Sequence, residues 1–112
     1  MFLPTSRVRV YVCVEPVDMR KSFSGLCGVA RGVMREDPLS GHVFCFFNRR
    51  RTYVKLLAWD RTGWSIFAKS LVRGTFGAVS KKELTIPELG QVLEGIELRN
   101  VRCRKRYTYL PE

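Results

Sequence analysis

The fold of this chain is decided by residues 43–70, which read VFCFFNRRRTYVKLLAWDRTGWSIFAKS. Three segments rich in β-branched and aromatic residues, 43–47, 53–59 and 64–70, alternate here with two short polar turns. Such segments favour strands, and connections this short join antiparallel neighbours. We therefore predict a three-stranded antiparallel meander. The segment 43–47 is apolar on both faces, so we expect it at the centre of the sheet or beneath a helix.

The residues before the meander predict one more strand and a helix. Residues 8–14, with a valine at every second position, indicate a strand that continues back to Arg7. The valines share one face, which we expect to be buried. Apolar residues at helical spacing predict a helix over residues 18–35, with Asp18 as its N-cap. Three glycines interrupt this helix, and we expect them to allow close packing against the sheet: Gly25, Gly28 and Gly32.

A second helix is predicted after the meander, at about residues 86–94. Thr85 and Glu88 have the spacing of a capping box, and Gly95 is suited to end the helix. The segment between the meander and this helix, residues 72–82, is a basic connector that we expect to be partly extended. These elements predict an α+β fold, a small antiparallel β-meander of three to five strands packed with two helices.

The length of 112 residues fits one domain, which we place at residues 1–98. Residues 99–112 form a basic C-terminal tail, in which weak alternation allows a short strand. Since no run of about 18 apolar residues occurs, we expect no membrane span, and the start of the chain lacks the order of a signal peptide. The four cysteines form no CxxC pair, which favours free thiols in a cytoplasmic protein, and we expect them to be buried as small apolar groups.

The charge of the chain indicates a polyanionic partner. The sequence has 20 Lys and Arg residues against 10 Asp and Glu, a net charge of +10. Nucleic acid is the first candidate, an anionic membrane surface the second and an acidic protein the third. Seven Phe, four Tyr and two Trp supply apolar surface, which argues against a disordered chain.

No set of residues in the sequence predicts catalysis. The single histidine, His42, belongs to no recognisable set of nucleophile, base and orienting group. A metal-dependent nuclease needs converging carboxylates, for which Glu15, Asp18 and Asp60 are the candidates. We interpret Asp18 as a helix cap and Asp60 as a turn residue. We therefore expect no enzyme activity, no metal and no cofactor.

The basic residues cluster in two places. Arg49, Arg50 and Arg51 occupy one tight turn, where successive side chains point in different directions and present their charges broadly. A second cluster lies in the tail, and the first turn of the first predicted helix holds another basic pair. A solvated surface is the alternative, since that is the usual role of a charge run. We predict nucleic-acid contacts at ten residues: Arg20, Lys21, Arg49, Arg50, Arg51, Lys55, Arg102, Arg104, Lys105 and Arg106.

Four aromatic side chains are candidates for stacking on nucleic-acid bases: Trp59, Trp64, Phe67 and Phe76. Core packing or cross-strand pairing is the commoner role of such residues. Trp59 and Trp64 flank a hairpin turn, where they are placed to pair with each other across the strands.

Several ordered strings of residues closely resemble a known family. They are VEPVDMRKSF at 14–23, DPLSGHVF at 37–44, FNRRR at 47–51 and KLLAWD at 55–60. In this order they resemble the TnpB-type, Orf2-like accessory protein of bacterial insertion sequences of the sixty-six type. The resemblance covers about residues 8–98, and the tail that follows matches poorly.

The resemblance implies a role in DNA transposition, and so in DNA recombination, as a non-catalytic accessory factor to a separate transposase. The resemblance assigns no active-site residues to this chain. We expect the partners to be DNA at the ends of the element and the transposase, with no membrane contact. A cytoplasmic protein of this kind would be nucleoid-associated when bound to DNA.

The main alternative is a protein-only adaptor, which docks on the transposase through the apolar edge of the meander and makes no direct DNA contact. The same edge would permit a homodimer through sheet-to-sheet pairing. A small nuclease is the least favoured function, because the carboxylates do not converge in any arrangement that the sequence supports.

Overall fold

The computed structural model describes residues 7–95 of the chain. Its mixed sheet and two helices confirm the predicted α+β class. The elements, in chain order, are β1 (Val10–Val12), α1 (Phe23–Gly32), β2 (Val43–Phe47), β3 (Tyr53–Trp59), β4 (Trp64–Ser70), β5 (Glu83–Leu84) and α2 (Ile86–Leu93).

The meander forms as predicted and makes up one side of a five-stranded sheet with the order β4-β3-β2-β1-β5. β2 pairs antiparallel with β3, and β3 pairs antiparallel with β4 through seven consecutive residue pairs, from Tyr53↔Ser70 to Trp59↔Trp64. β2 is the central strand, and all five of its residues are buried. This position confirms the expectation drawn from its two apolar faces.

The pairing of β1 differs from a purely antiparallel arrangement. β1 lies parallel to β2, in the register Val10↔Val43 and Val12↔Cys45. A parallel pair of neighbours requires a long crossover connection, and α1 lies within it. β5 then pairs antiparallel with the other side of β1. Because β1 and β2 run in the same direction, their carboxyl ends lie at the same edge of the sheet.

The first strand is shorter than the predicted range of residues 7–14. Val10 and Val12 are buried, as expected, but Val14 is exposed and Cys13 on the opposite face is buried. The prediction of a buried valine face is therefore wrong at Val14. The sheet is covered on both faces, so Cys13 lies beneath α1, while Val14 follows the point at which the chain leaves the sheet.

The first helix is also shorter than predicted, because Asp18 does not cap it. The Asp18 carboxylate accepts a hydrogen bond from the backbone N–H of Arg20 at 2.9 Å and so closes a local turn. The helix begins at Phe23 instead, with Ser22 in the N-cap position, and ends at Gly32. Beyond it, Arg35 adopts a positive φ of 60°, which is incompatible with continuing the helix.

Each helix covers one face of the sheet. The face beneath α1 carries a cluster of buried side chains from Cys13, Val17, Leu26, Cys27, Ala30, Phe44, Phe46 and Leu57. The face beneath α2 carries a larger cluster, which includes Val10, Val12, Val43, Cys45, Phe47, Val54, Leu56, Phe76, Leu89 and Val92. Successive side chains of β2 point alternately into the two clusters, which explains why all five of its residues are apolar.

The second helix confirms its predicted capping box. The Thr85 side chain accepts a hydrogen bond from the backbone N–H of Glu88 at 3.2 Å, and the Glu88 carboxylate accepts one from the backbone N–H of Thr85 at 2.9 Å. Gly95 follows with a positive φ of 85°, as suits a C-terminal stop. Neither helix in the described part of the chain is long and apolar enough to cross a membrane.

Three of the four cysteines lie in the described part of the chain: Cys13, Cys27 and Cys45. All three are buried free thiols, as predicted. Burial raises the pKa of each thiol, because the thiolate would lose its hydration. Cys103 lies outside the described residues.

The glycines of α1 do not all serve close packing. A methyl group at Gly25 would meet the Lys21 side chain at 3.1 Å, but nothing lies within 4 Å of one at Gly28 or Gly32. The expectation of close packing against the sheet is therefore wrong: Gly25 lies closest to Lys21 of the segment before the helix, and Gly28 and Gly32 lie on the exposed side of the helix.

Replacing Gly28 with Ala should raise the free energy of unfolding by about 0.5–1 kcal/mol, because alanine loses less backbone freedom in a helix. Unfolding in urea, followed by circular dichroism, measures the change. Gly41→Ala is the control and should lower the free energy of unfolding, since Gly41 has a φ of +88°, which is unfavourable for alanine. An unchanged or lower free energy of unfolding for Gly28→Ala would contradict the open surroundings of this glycine.

Candidate nucleic-acid interface

The edge where β1 and β2 end brings together two basic segments that are far apart in the sequence. The backbone N–H of Val17, which follows β1, donates a hydrogen bond of 2.9 Å to the carbonyl of Phe47 at the end of β2. An open groove lies between the segments and is lined by residues 16–19 and 48–50. We call the four exposed cations of these segments the basic edge: Arg20, Lys21, Arg49 and Arg50.

The turn between β2 and β3 is held by the side chain of Asn48. Its carbonyl oxygen accepts hydrogen bonds from the backbone N–H groups of Thr52 at 2.9 Å and Tyr53 at 3.1 Å. Its amide donates to the Thr52 hydroxyl at 3.0 Å. Arg49 and Arg50 are left at the exposed tip, and within residues 7–95 neither guanidinium has a hydrogen-bond or ion-pair partner.

Asn48 is absent from the predicted site residues, although the sequence carries a signal for it. An asparagine placed directly between a strand and a turn commonly hydrogen-bonds the backbone two or more residues ahead. Its role here is to position the cations that follow it, since it closes the turn without using a basic side chain.

Arg51 turns inward, so the expectation that all three arginines present their charges outward is wrong for this residue. Its guanidinium lies 4.2 Å from the centre of the Phe47 ring and donates a hydrogen bond to the Gly77 carbonyl through Nη2 at 2.7 Å. Its own carbonyl accepts a hydrogen bond from the Phe76 N–H at 2.7 Å. Partial burial lowers the pKa of Arg51, but a guanidinium stays protonated at neutral pH.

These contacts make Arg51 a clamp between the turn and the segment that follows β4. Its positive φ of 58° is costly for a residue other than glycine. A cation over an aromatic face and charge-assisted hydrogen bonds to two carbonyl groups offset that cost.

Arg20 forms an ion pair with Asp18. Its Nη2 atom lies 2.8 Å from Oδ2 of Asp18, and its Nε atom also contacts the carboxylate. The hydrogen bonds from Arg20 lower the pKa of Asp18 to about 2. Asp18 is therefore ionised at neutral pH and neutralises part of the charge of Arg20. This state suits a structural carboxylate better than a general acid or base.

Lys21 and Lys55 meet at the start of α1. The Lys55 ammonium donates a hydrogen bond of 2.8 Å to the Lys21 carbonyl, which ties β3 to the segment before the helix. The Lys21 side chain lies against Gly25 in the first turn of α1. Ser22 makes no side-chain cap there, and the first turn holds no acidic residue. The positive end of the helix dipole is thus close to the basic edge.

The chain matches the family model described as IS66 Orf2 like protein over residues 8–103. The chain belongs to this family. Membership implies a transposition-related accessory role, in a family that is not known to be catalytic. The match runs past Leu98, so the part of the chain that resembles the family is slightly longer than predicted.

Two curated relatives of this IS66 Orf2-like protein come from Sinorhizobium fredii (strain NBRC 101917 / NGR234). The uncharacterized protein y4jC is 30% identical over 76 residues, which cover 68% of this chain and 65% of y4jC. The uncharacterized protein y4hO is 31% identical over 106 residues, which cover 88% of this chain and 90% of y4hO. No solved structure matches significantly.

The predicted contacts in the tail lie outside the described residues: Arg102, Arg104, Lys105 and Arg106. The IS66 Orf2-like match includes the first of these four and ends before the other three. Their contribution to nucleic-acid binding stays a prediction from the sequence.

The aromatic candidates of this family member divide between core and surface. Phe76 is buried against Phe47, with ring centres 5.5 Å apart. Trp59 and Trp64 pair across β3 and β4 with ring centres 4.8 Å apart. Core or cross-strand packing, the commoner role, is therefore what these three residues adopt. Phe67 is exposed and lies on the opposite face of β4 from Trp64.

Two of the residues considered for catalysis, His42 and Asp60, have structural roles. Nδ1 of His42 accepts a hydrogen bond from the backbone N–H of Arg9 at 3.0 Å. The Asp60 carboxylate accepts hydrogen bonds from Thr62 and Gly63, which confirms its interpretation as a turn residue. Among residues 7–95, no group of three His, Cys, Asp or Glu side chains is placed to hold a metal ion.

Arg51→Ala should lower the free energy of unfolding by about 2 kcal/mol, because buried carbonyl groups lose charge-assisted hydrogen bonds. Urea unfolding measures this loss. Arg49→Ala and Arg50→Ala are matched controls from the same turn, and each should change the free energy of unfolding by less than about 0.5 kcal/mol. Equal losses for all three variants would contradict the inward position of Arg51.

The ion pair of Asp18 predicts an acid-dependent stability. Because folding lowers the pKa of this carboxyl from 3.8 to about 2, its contribution is present above pH 4 and is lost as the pH falls through 2. Asp18→Asn should therefore show a smaller loss of unfolding free energy between pH 4 and pH 2 than the unchanged protein. Arg20→Gln removes the partner cation and should reduce the acid dependence in the same direction, whereas an acid dependence unchanged in both variants would contradict the role of this ion pair.

Proposed function

We propose that this protein binds the DNA of its insertion sequence through the basic edge and so assists a separate transposase. The observation that carries the proposal is the convergence of the 14–22 and 48–55 segments at one edge of the sheet. These segments contain six basic residues and two carboxylates, one of which is already paired with Arg20. A local excess of this kind attracts the DNA backbone.

The six basic side chains of these two segments divide into three groups. Arg49, Arg50 and Lys21 are exposed and are the proposed phosphate contacts. Arg20 contributes less, because Asp18 neutralises part of its charge. Arg51 and Lys55 already donate hydrogen bonds to protein carbonyl groups, so they position the edge rather than contact DNA. The proposed contact set is therefore smaller than the set predicted from the sequence.

The start of α1 supports the same proposal. The backbone N–H groups of an uncapped first turn are oriented to bind an anion, and the helix dipole favours negative charge at that point. Lys21 lies over this turn. A phosphate there would meet N–H donors and an ammonium together. Contacts of this kind position a protein on the duplex without reading its sequence.

A second candidate function is the protein-only adaptor. The observation that favours it is a groove between the end of β1 and the end of α1, where Val14 and Val33 are 58% and 49% exposed. An apolar patch of this kind suits contact with another protein. In that case the net charge of +10 would serve mainly to speed the encounter.

Titration of a labelled element-end duplex at several salt concentrations tests DNA binding. If the exposed cations of the basic edge neutralise about three to four phosphates, the slope of log affinity against log salt should be about −3 to −4. The double variant Arg49→Ala, Arg50→Ala should make this slope less negative by about 2 and leave the thermal unfolding midpoint unchanged. Absence of binding at low salt, or a slope close to zero, would overturn the proposal.

A matched variant controls for the loss of net charge. Arg9→Ala with Arg61→Ala removes two exposed cations at the opposite ends of the strands from the basic edge, before β1 and in the turn between β3 and β4. It should retain most of the affinity and slope. Co-purification with the transposase after nuclease treatment, with transposition unaffected by the Arg49→Ala, Arg50→Ala change, would instead favour the adaptor.

A further inference from the structure

The two outermost strands of the sheet differ in how their unpaired backbone groups are protected from pairing with another chain. β5 forms one edge with only two residues and leads directly into α2. β4 forms the other edge with seven residues, and its unbroken register with β3 contains no bulge and no proline. A long, regular edge strand is a template for pairing with another strand, and short edge strands avoid this.

The hydrogen bonds of the β3–β4 hairpin identify the backbone groups that face outward. The N–H of Asp60 donates to the carbonyl of Gly63 at 3.1 Å, and the N–H of Leu71 donates to the carbonyl of Thr52 at 2.8 Å. Bonded pairs alternate with non-bonded pairs along an antiparallel ladder. The odd-numbered residues of β4 therefore bond to β3. The N–H and carbonyl groups that point away from the sheet belong to Trp64, Ile66, Ala68 and Ser70.

The side chains of β4 do not protect its unpaired backbone groups with exposed charge. Lys69 is the one charged residue of β4, and its ammonium donates a hydrogen bond of 2.8 Å back to the Leu93 carbonyl at the end of α2. Phe67 is 42% exposed, and Val72 just beyond the strand is 80% exposed. Outward-pointing charges, prolines and bulges are the usual protections of an edge strand, and β4 has none of them.

We propose that β4 is a dimerisation strand, which pairs antiparallel with β4 of a second copy of this chain about a two-fold axis at Phe67. In this register the outward backbone groups of Trp64 bond to the partner's Ser70, and those of Ile66 bond to the partner's Ala68. Four bonded pairs result, with about eight main-chain hydrogen bonds. The two sheets then form one continuous sheet.

The self-complementarity of β4 argues for a second copy as the occupant. In this register all seven residues of β4 lie opposite a residue of the partner's β4. The outward backbone groups of the two strands then bond to each other. Phe67 then meets the partner's Phe67 in a non-bonded pair, where side chains approach most closely. Lys69 faces the partner's Ser65, so no like charges are directly opposed within the strands.

The charge of the chain predicts how salt acts on this dimer. The register brings the turn that contains Arg61 towards the segment of the partner that contains Arg73, and each chain has a net charge of +10. Salt screens this repulsion. Self-association should therefore strengthen as salt rises, whereas DNA binding should weaken. Because the two salt dependences have opposite signs, they distinguish the dimer from aggregation on nucleic acid. The dimer does not depend on the proposed DNA contacts.

Sedimentation equilibrium of the full chain, free of nucleic acid, tests the dimer. Ala68→Pro removes an outward N–H that no bond within the sheet uses, so it should weaken the dimer at least about tenfold while the chain stays folded. Ala68→Ser keeps the N–H and is the matched control. A monomer at all concentrations in high salt, or equal dissociation constants for the two variants, would overturn the proposal.

Hydrogen exchange of the unchanged protein keeps the test valid if Ala68→Pro does not fold. The amides of Trp64, Ile66, Ala68 and Ser70 should gain protection as protein concentration rises, while those of Ser65, Phe67 and Lys69 stay protected throughout. Protection that is independent of concentration would show that the chain itself covers this edge. Such a result would overturn the proposal, as would a lack of protection at every concentration.

Disulfide trapping tests the register. Phe67→Cys, with Cys103→Ser to remove the thiol outside the described residues, should form a symmetric disulfide on oxidation, because the two residues meet at the axis. Ser65→Cys on the same background faces the partner's Lys69 and should not cross-link. Equal cross-linking of both variants would contradict a two-fold axis at Phe67.

Discussion

The parallel pairing of β1 with β2 is the constraint on which the rest of this structure depends. It requires a crossover, which α1 supplies, and so it covers one face of the sheet. It also leaves β2 in the centre, where both of its faces must be apolar. The same pairing puts the ends of β1 and β2 at one edge, where the segment that carries Arg20 and Lys21 lies beside the turn that carries Arg49 and Arg50.

The run Arg49-Arg50-Arg51 shows how one residue type acquires two roles from its surroundings. Asn48 closes the turn through its own side chain, so the first two arginines remain at the exposed tip. The third adopts a positive φ and points back over Phe47 towards Gly77. A count of charges treats the three as equal, but burial makes Arg51 part of the fold.

The strong positive charge has opposite consequences for the two associations proposed above. It favours contact with a polyanion at the basic edge, and it opposes contact between copies of the chain. In the sheet order, β3 separates β4 from β2 and β1, whose ends adjoin the groove beside Asn48, so the two proposed contacts use different strands. The IS66 Orf2-like family to which the chain belongs supplies the context of transposition for both.

The sequence by itself determined the features that depend on neighbouring residues. The meander, its Asp60 turn, the capping box at Thr85 and the stop at Gly95 follow from local turn and cap chemistry. Only the tertiary structure decided the parallel partner of β1, the late start of α1 and the inward turn of Arg51. The pairing of β1 and the position of Arg51 depend on contacts between residues distant along the chain, such as Val17 with Phe47 and Arg51 with Gly77, which local patterns do not encode. The late start of α1 follows from the turn that Asp18 closes with Arg20, because an aspartate at this place is compatible with either a turn or a helix cap.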